Sequence, residues 1–326
     1  MRKNKEWLAS APSVQFGWRF SNRATLLSAC LAVLFAVSSC GEPTPSISLS
    51  LVKEWGGEGS APGQFESPSS VAVAPNGDLL VTDSQNGRVQ RFNSAREFVR
   101  SFGENVLDSP LGLTVDREGA CYVADFGNDK IYKFGAEGKL LLAFGKAGDD
   151  EGQFNAPVAV AVNQSSEIYV LEFNNHRVQQ FDGTGQFIRQ WGGEGNAQGQ
   201  FEFPGDLALD SDDNVWVMDT HNARLQKFTP EGRFLGMWGS HGSEPGQFAD
   251  ASGLAIDAEN RIYIADSANK RLQIFDPNFK HLLSYWYDNK WQGAVFSPTD
   301  VAVGPAFHVF TSDLSHNLIQ EFEVVF

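Results

Sequence analysis

Short runs of alternating hydrophobic and polar residues cover most of this chain, and turn-forming residues separate them. Between residues 206 and 239 the alternating runs are LALD, VWVMD, RLQKF and RFLGMWG, and SDDN, THNA and TPEG stand between them. Alternating runs bounded by Gly, Pro, Asn and Asp are typical of β-strands joined by tight turns. A sustained helical period is missing outside the N-terminal segment, so the sequence predicts an all-β chain with almost no helix.

The same unit of four predicted strands returns along the chain at a nearly fixed period. An acidic residue ends the second strand of each copy: Asp83, Asp125, Glu172, Asp219, Asp266 and Asp313. The spacing is 42 residues for the first step and 47 for each later step, a period typical of repeat architectures. Six units of four antiparallel strands predict a six-bladed β-propeller. The expected blades lie near residues 57–103, 104–145, 146–192, 193–239, 240–286 and 287–326.

The two ends of the predicted domain, residues 47–326, indicate how the ring closes. The last repeat stops at its third strand, HNLIQEFEVVF, while residues 48–56, SLSLVKEWG, are similar to the fourth strands of the other repeats. We therefore expect the N-terminal strand to complete the last blade, which leaves no long exposed edge. A linear solenoid is the alternative, but it needs polar capping repeats at both ends and none is visible.

A sequence motif recurs in most copies. A GQF segment precedes the first strand in four copies, and Pro follows in three of them. A segment of the pattern Asp-x-x-Asn-x-Arg joins the second strand to the third, with the Asp and the Asn each kept in five of six copies. This pattern resembles the NHL repeat, and the resemblance extends over roughly residues 47–326. It implies a propeller fold and leaves the function open, because NHL propellers include RNA-binding domains, protein-binding ectodomains and lyases.

The first 46 residues differ in composition from the rest. Residues 1–39 combine a basic start with an apolar run from residue 24 to residue 39, which predicts a secretory signal. Cys40 follows a pair of small residues, an arrangement that resembles the lipobox of bacterial lipoproteins and implies lipid attachment at Cys40. The alternatives are an ordinary signal peptide with an incidental cysteine, or an uncleaved anchor. We expect residues 40–46 to be a tether, and the chain to be exported and lipid-anchored in the cell envelope, at the outer membrane of a Gram-negative bacterium.

The net charge of the chain is −15, which restricts the class of partner. Nucleic-acid binding relies on Lys and Arg side chains that neutralise phosphates, so the charge argues against nucleic acid as a ligand. Many acidic residues lie in the predicted loops between blades: Glu58, Glu66, Glu104, Asp149, Asp150, Glu151, Glu194, Glu202 and Glu244.

The direction of the strands places these loops on one face. In a blade of four antiparallel strands, the loop between blades emerges on the same face as the turn between the second and third strands. Loops on a rigid scaffold often carry function. We therefore expect this acidic face to recognise a protein, peptide or glycan partner, or Ca²⁺. The alternative is a solvated rim that only keeps the protein soluble.

The Asp-x-x-Asn-x-Arg segment is interpreted as a device for building blades rather than as a catalytic site. An Asp at a strand end accepts hydrogen bonds from turn amides, and the Arg can pair with a carboxylate. Because the segment recurs in nearly every copy, a unique site is expected where the repeat is broken.

The broken positions supply the candidate site residues. Blade 3 has Glu172 in place of Asp, followed by His176, and blade 4 has His221 on the neighbouring turn. Imidazoles near carboxylates suit a divalent metal, so Zn²⁺ or Ca²⁺ is a possible cofactor. Asp206 and Asp300 begin the first strands of their blades. They are expected either to project carboxylates into the central channel or to bond amides at the strand start.

The entry to blade 6 is aromatic. It contains Tyr287 and Trp291, which we predict to be surface contacts because exposed aromatic residues often mark interfaces.

An enzyme remains the alternative function, as a metal-dependent lyase or lactonase with its site at the channel mouth. Resemblance to peptidyl-hydroxyglycine lyase, an NHL-like enzyme that holds zinc with three His, implies a ligand role for His176. The residues where another such His is expected are Ser69, Leu111, Val158, Gly205 and Thr299. Since no Ser-His-Asp spacing or phosphate loop is present either, the sequence favours a non-catalytic binding or scaffold protein.

Overall fold

The computed structural model describes residues 47–286 and 297–325, which form six four-stranded antiparallel sheets. The strands coincide with the alternating runs of the sequence, because alternation places one side chain in the core and the next on the other face of the sheet. In chain order the strands are β1 (Ser48–Gly56), β2 (Pro68–Val73), β3 (Leu79–Asp83), β4 (Arg88–Phe92), β5 (Phe98–Phe102), β6 (Pro110–Val115), β7 (Cys121–Asp125), β8 (Lys130–Phe134), β9 (Leu140–Phe144), β10 (Pro157–Val162), β11 (Ile168–Glu172), β12 (Arg177–Phe181), β13 (Phe187–Gly192), β14 (Asp206–Leu209), β15 (Val215–Asp219), β16 (Arg224–Phe228), β17 (Phe234–Trp238), β18 (Ala251–Ile256), β19 (Ile262–Asp266), β20 (Arg271–Phe275), β21 (His281–Tyr285), β22 (Asp300–Val303), β23 (His308–Asp313) and β24 (Leu318–Val325).

Each sheet is one blade of a closed ring. Blades 1 to 5 take four consecutive strands each, beginning with β2, β6, β10, β14 and β18. Blade 6 has the strand order β22-β23-β24-β1. The first strand of every blade contacts the first strand of the next, and β22 contacts β2. This confirms the predicted six-bladed β-propeller.

The N-terminal strand closes the ring, as predicted. β1 pairs antiparallel with β24, from Ser48 opposite Val325 to Gly56 opposite Leu318. The two ends of the domain therefore share one sheet. Within the described residues, helix is limited to a single 3₁₀ turn, Pro305–Phe307, and no helix has the length and apolar character needed to cross a membrane.

The hydrophobic core lies within and between neighbouring blades. A buried phenylalanine ends the third strand of blades 1 to 5 and recurs in β24: Phe92, Phe134, Phe181, Phe228, Phe275 and Phe322. In four blades the phenylalanine of the GQF loop is also fully buried, at Phe65, Phe154, Phe201 and Phe248. Because burial of one such side chain contributes roughly 1.5–3 kcal/mol, each of these loops is anchored to its blade.

The two faces of the ring carry different connections. The loop face holds the turns between second and third strands and the long loops between blades, and side chains join the two. Asn86 Nδ2 donates to the Gly59 carbonyl at 3.0 Å, and Asn175 Nδ2 donates to that of Gly148 at 3.1 Å. The turn face, on the other side, carries the short turns between first and second and between third and fourth strands.

Candidate functional site

A buried carboxylate organises the loop face in each of blades 1, 3, 4 and 5. In blade 5, Asp266 Oδ2 accepts hydrogen bonds from Arg271 Nε at 2.8 Å, Gln273 Nε2 at 3.0 Å and Asn269 Nδ2 at 2.9 Å. Its Oδ1 accepts from the Ala249 amide at 2.9 Å. The carboxylate is fully buried and both oxygens are engaged, so this element builds the blade.

The arginine of the same element fixes the long loop. The Arg271 guanidinium donates to the carbonyls of Ser243 at 2.7 Å, Glu244 at 3.1 Å and Gln247 at 2.8 Å. Arg177 and Arg224 hold their loops in the same way. Since three carbonyls of each loop accept from the same buried arginine, the loop backbone is held in place.

Glu172 takes the place of Asp in the hydrogen-bond network of blade 3. Its Oε1 accepts from Arg177 Nε at 2.6 Å and Gln179 Nε2 at 2.8 Å, and its Oε2 accepts from Asn175 Nδ2 at 2.6 Å and the Asn155 amide at 2.9 Å. The side chain is fully buried. The longer acid is therefore occupied by the blade network and offers no exposed carboxylate to a ligand.

The acidic residues predicted on the long loops are indeed at the surface. All of the nine named above except Glu202, which is half-buried, are exposed. Except for Glu104, which lies in the short loop entering blade 2, they belong to long loops whose backbone is held by the arginine network. The loop face therefore presents fixed negative charge.

His176 links blade 3 to blade 4. It has a positive φ of 53° and its Nδ1 accepts a hydrogen bond from the Phe203 amide at 3.1 Å. The same position in other blades does the same: Asp129 accepts from the Ala156 amide at 2.8 Å, and Asn317 accepts from the Ser67 amide at 2.8 Å. The structure thus gives this buried histidine a role between blades, with one ring nitrogen occupied.

The Phe203 ring contacts both His176 and His221. The Phe203 ring lies with its centroid 4.7 Å from that of His176 and 4.8 Å from that of His221, and Phe173 packs 4.9 Å away. We call Phe173, Phe203 and His221 the aromatic patch. His221 is exposed, and both phenylalanines are half-buried.

Sequence reasoning found His176 and His221 but missed the two phenylalanines. The signal for Phe203 was present, since the corresponding residues of the other blades are Ser67, Ser109, Ala156, Asp250 and Ser297. Phe203 has a φ of 44°, which is a strained backbone for a bulky side chain. A large aromatic residue at a position otherwise held by small or polar ones is a break in the repeat.

Asp206 and Asp300 lie in the wall of the central channel and bond strand amides, which combines the two placements expected from the sequence. Asp206 accepts from the amides of Leu207 and Leu254, each at 2.7 Å. Asp300 accepts from the amides of Val301 at 2.7 Å and Val71 at 3.0 Å. Each aspartate thereby joins its own blade to the next.

The two aspartates interact with each other in this wall. Asp206 accepts from the Leu254 amide, and a Cβ at the preceding Gly253 would lie 2.5 Å from the Asp300 Cα, so glycine is needed for blade 5 to pack against Asp300. Burial raises the pKa of Asp300 to about 6. Burial and the Asp300 charge together raise the pKa of Asp206 well above its ordinary value. Although Asp206 keeps some exposure to the channel, its depth among the inner strands makes desolvation dominant. Ionisation of one aspartate therefore opposes ionisation of the other.

The candidate metal ligands fall into two separate pairs. His176 and His221 meet across Phe203 on the loop face, whereas Asp206 and Asp300 meet in the wall of a channel cavity of about 260 Å³. Across residues 47–286 and 297–325, no group of three or more His, Cys, Asp or Glu side chains has the arrangement of a metal site. Tyr287, Trp291 and Cys40 lie outside the described residues.

The NHL repeat family matches residues 65–92, 154–181, 201–228 and 248–275. These four stretches run from the loop phenylalanine to the end of the third strand in blades 1, 3, 4 and 5, the blades with the complete arginine network. The chain therefore contains four NHL repeats, and the resemblance seen in the sequence is confirmed for them.

Known proteins resemble the chain in sequence over short stretches and in structure over most of its length. Protein brain tumor of Drosophila melanogaster is 35% identical over 94 residues, which are 28% of this chain and 9% of that protein. The chain thus matches less than a tenth of this relative. A streptogramin B lyase superposes with a TM-score of 0.62 at 12% identity, covering 86% of this chain and 98% of the lyase. A gluconolactonase from Xanthomonas campestris gives 0.61 at 14% identity, covering 81% and 88%. At such identities the likeness shows the fold alone.

Proposed function

We propose that this chain is an exported, lipid-anchored binding protein that recognises a protein, peptide or glycan partner through its acidic loop face. The observation that carries the proposal is the set of long loops, each held by a buried arginine and each presenting exposed carboxylates. A pre-ordered surface loses little conformational entropy on binding. Fixed charge of one sign steers partners of the opposite sign and disfavours like-charged ones. The partner's contact surface is therefore basic.

The four NHL repeats are consistent with this role, since they build a scaffold rather than a reaction centre. In every blade with a complete network, the acid and the arginine satisfy each other and the loop carbonyls. The N-terminal features, a basic and apolar segment ending at Cys40, support export and lipid attachment. The tether that follows would allow the ring to stand away from the membrane.

A catalytic function at the channel mouth is the second candidate. The Asp206–Asp300 pair favours it, because paired carboxyl groups with separated protonation states can exchange protons with a substrate. The fold is similar to those of a streptogramin B lyase and a gluconolactonase, which is compatible with a catalytic function. A metal-dependent version fits poorly, because both carboxyl groups already accept backbone amides and the described channel residues provide no third ligand.

Charge reversal on one face tests the binding proposal. One exposed acid from each long loop is replaced in a single protein: Glu58→Lys, Asp149→Lys, Glu194→Lys and Glu244→Lys. The matched control makes the same change in net charge on the turn face: Glu118→Lys, Glu137→Lys, Glu231→Lys and Glu259→Lys. The probe is poly-L-lysine, measured by biolayer interferometry at fixed ionic strength.

The loop-face variant is expected to bind poly-L-lysine at least tenfold more weakly than the control. Equal weakening in both proteins would mean that only net charge matters, and the proposed recognition face would be wrong. Elemental analysis of the purified protein before and after chelation tests the metal-dependent version of the second candidate. One equivalent of bound zinc or calcium that chelation removes, with a loss of thermal stability, would favour the metal-dependent enzyme.

The anchor is tested separately with Cys40→Ser. This variant should move from the membrane fraction to the soluble fraction, whereas Cys121→Ser should leave the distribution unchanged. Metabolic labelling with a tagged fatty acid decides the case of an uncleaved anchor: label in Cys40→Ser equal to that in the wild type would contradict lipid attachment at Cys40.

A further inference from the structure

We infer that the aromatic patch at the boundary of blades 3 and 4 is the point where the loop face binds an arginine side chain of its partner. This inference rests on the proposed function and assigns partner recognition to three side chains of the loop face. The patch is the place on the loop face where ring contacts join neighbouring blades through exposed or half-buried side chains: Phe173 contacts Phe203, and Phe203 contacts His221.

The backbone beneath the patch is fixed by hydrogen bonds between different segments. The Phe173 amide donates to the Ala156 carbonyl at 2.9 Å, and the His221 amide donates to the Glu202 carbonyl at 3.1 Å. The Phe203 amide donates to His176 Nδ1. The backbone that carries each ring is therefore held before any partner arrives, which is a property expected of a binding anchor.

The strained backbone of Phe203 is the second, independent observation. At this position blade 1 has Ser67 with a φ of 59°, and blade 3 has Ala156 with a φ of 60°. The conformation belongs to the repeat, but only in blade 4 does it carry a bulky aromatic ring. Strain of this kind clusters at binding sites. The core does not require this ring, because the other blades form without it.

The chemistry around the rings selects a cation. Glu202 precedes Phe203 and is half-buried, while Glu194 is exposed on the loop of the same blade. A guanidinium group stacks on aromatic faces and forms paired hydrogen bonds with carboxylates. A ring surface on a face that carries exposed carboxylates matches both properties, so arginine is preferred to lysine and to any neutral side chain.

The experiment compares two peptides that differ only in charge. A fluorescein-labelled peptide with two arginines separated by alanines is titrated with the full-length protein, and fluorescence anisotropy gives Kd. The reference peptide has citrulline, a neutral isostere, in place of each arginine. The wild-type protein is expected to bind the arginine peptide at least tenfold more tightly.

Variants of the patch use residues that other blades hold at the same positions. Phe203→Ser copies blade 1, where Ser67 adopts the same backbone conformation, and Phe173→Ser copies Ser84. His221→Gln copies Gln85. The control is Phe98→Ser, an exposed phenylalanine on β5, away from the loop face.

Phe203→Ser and Phe173→Ser are expected to raise Kd by about 3-fold to 30-fold, the range of a cation–π contact. Phe98→Ser should stay within about twofold. If Phe203→Ser fails to fold, Phe173→Ser and His221→Gln decide the question.

Two outcomes would overturn the inference in distinguishable ways. If the patch variants bind as wild type while the loop-face charge reversal weakens binding, the patch is wrong and the proposed function stands. If the wild type binds both peptides equally, arginine is not the ligand, and the poly-L-lysine experiment alone judges the proposed function.

Discussion

Blades 1, 3, 4 and 5 differ from blades 2 and 6 in how the loop face is held together. The first group has an arginine after the second turn, whose guanidinium holds a long GQF loop. Blade 2 has Lys130 at that position, and blade 6 has Leu318. The acid at the end of the second strand is nevertheless present and buried in all six.

Blade 2 shows why the buried acid can occur without the arginine. Its Asp125 accepts hydrogen bonds from the amides of Asp108, Ser109 and Gly127 and from the Asn128 side chain. The loop that enters this blade is short and is closed by its own backbone hydrogen bonds. The acid therefore serves the strand end and its turn, whereas the arginine accompanies a long loop that needs donors for its carbonyls.

Blade 6 is held by contacts that the other incomplete blade lacks. β1 supplies its outermost strand, and Asp300 bonds the Val71 amide and the Ser70 hydroxyl, the latter at 2.6 Å. Its acid, Asp313, accepts from the amides of Ser315 and His316. Ring closure thus replaces the arginine network in this blade.

Arg271→Met is expected to cause the largest loss of stability among the variants that test the difference between the two groups of blades. Arg271 is 1% exposed and its partner Asp266 is fully buried, so removal of the cation leaves a buried charge without compensation. We expect the free energy of unfolding to fall by roughly 3–5 kcal/mol. Lys130→Met is the matched control and should change it by less than about 0.5 kcal/mol. Urea unfolding measures both, and equal losses would show that the arginine has no special role in the long-loop blades.

The channel pair predicts a pH dependence of intermediate size. The raised pKa values of Asp206 and Asp300 mean that the folded state holds a proton more tightly than the unfolded chain. The resulting stabilisation is present below about pH 4 and is lost as the pH rises through about 6. For Asp300, a rise from 3.8 to about 6 corresponds to about 3 kcal/mol.

Asp206→Asn tests this pH dependence. The thermal midpoint of the wild type should decrease as the pH is raised from 5 to 8. The decrease per pH unit should be smaller in the variant because it removes one of the two charges. Glu118→Gln, an exposed acid on the turn face, should keep the wild-type slope. An unchanged slope in Asp206→Asn would mean that Asp206 does not contribute to the pH dependence.

The link between blades 3 and 4 predicts the smallest effect. His176→Ala removes the acceptor for the Phe203 amide and should cost about 1 kcal/mol. His176→Asn should be nearly neutral, because Asn317 makes the equivalent bond with a φ of 56°. Thermal unfolding of the two variants gives the difference. A similar loss in both would indicate that the ring contact with Phe203, rather than the hydrogen bond, stabilises this boundary.

Much of the candidate site could be located from the sequence, but its chemistry could not. The strand starts at Asp206 and Asp300 were expected to reach the channel or to bond amides, and both are seen. Their mutual approach was not visible, since the residues are 94 positions apart. His176 was singled out as a break in the repeat, yet its partner is an amide of the next blade.

The sequence alone determined the repeat, the strands and the number of blades. A period-2 pattern fixes which side chains face the core, and a constant spacing with a split last repeat leaves ring closure as the solution that leaves only short sheet edges. These are local and periodic properties, so they can be read from neighbouring residues.

Tertiary structure decided which of the polar and aromatic residues meet. Neighbouring blades bring Phe173, Phe203 and His221 together although they come from three separate connections. Contacts with Arg177, Gln179 and Asn175 turn Glu172 inward within blade 3, whereas the loop acids remain at the surface. The contacts between blades depend on the angle between blades and on the αL backbone of Phe203, and neither is encoded in a local pattern.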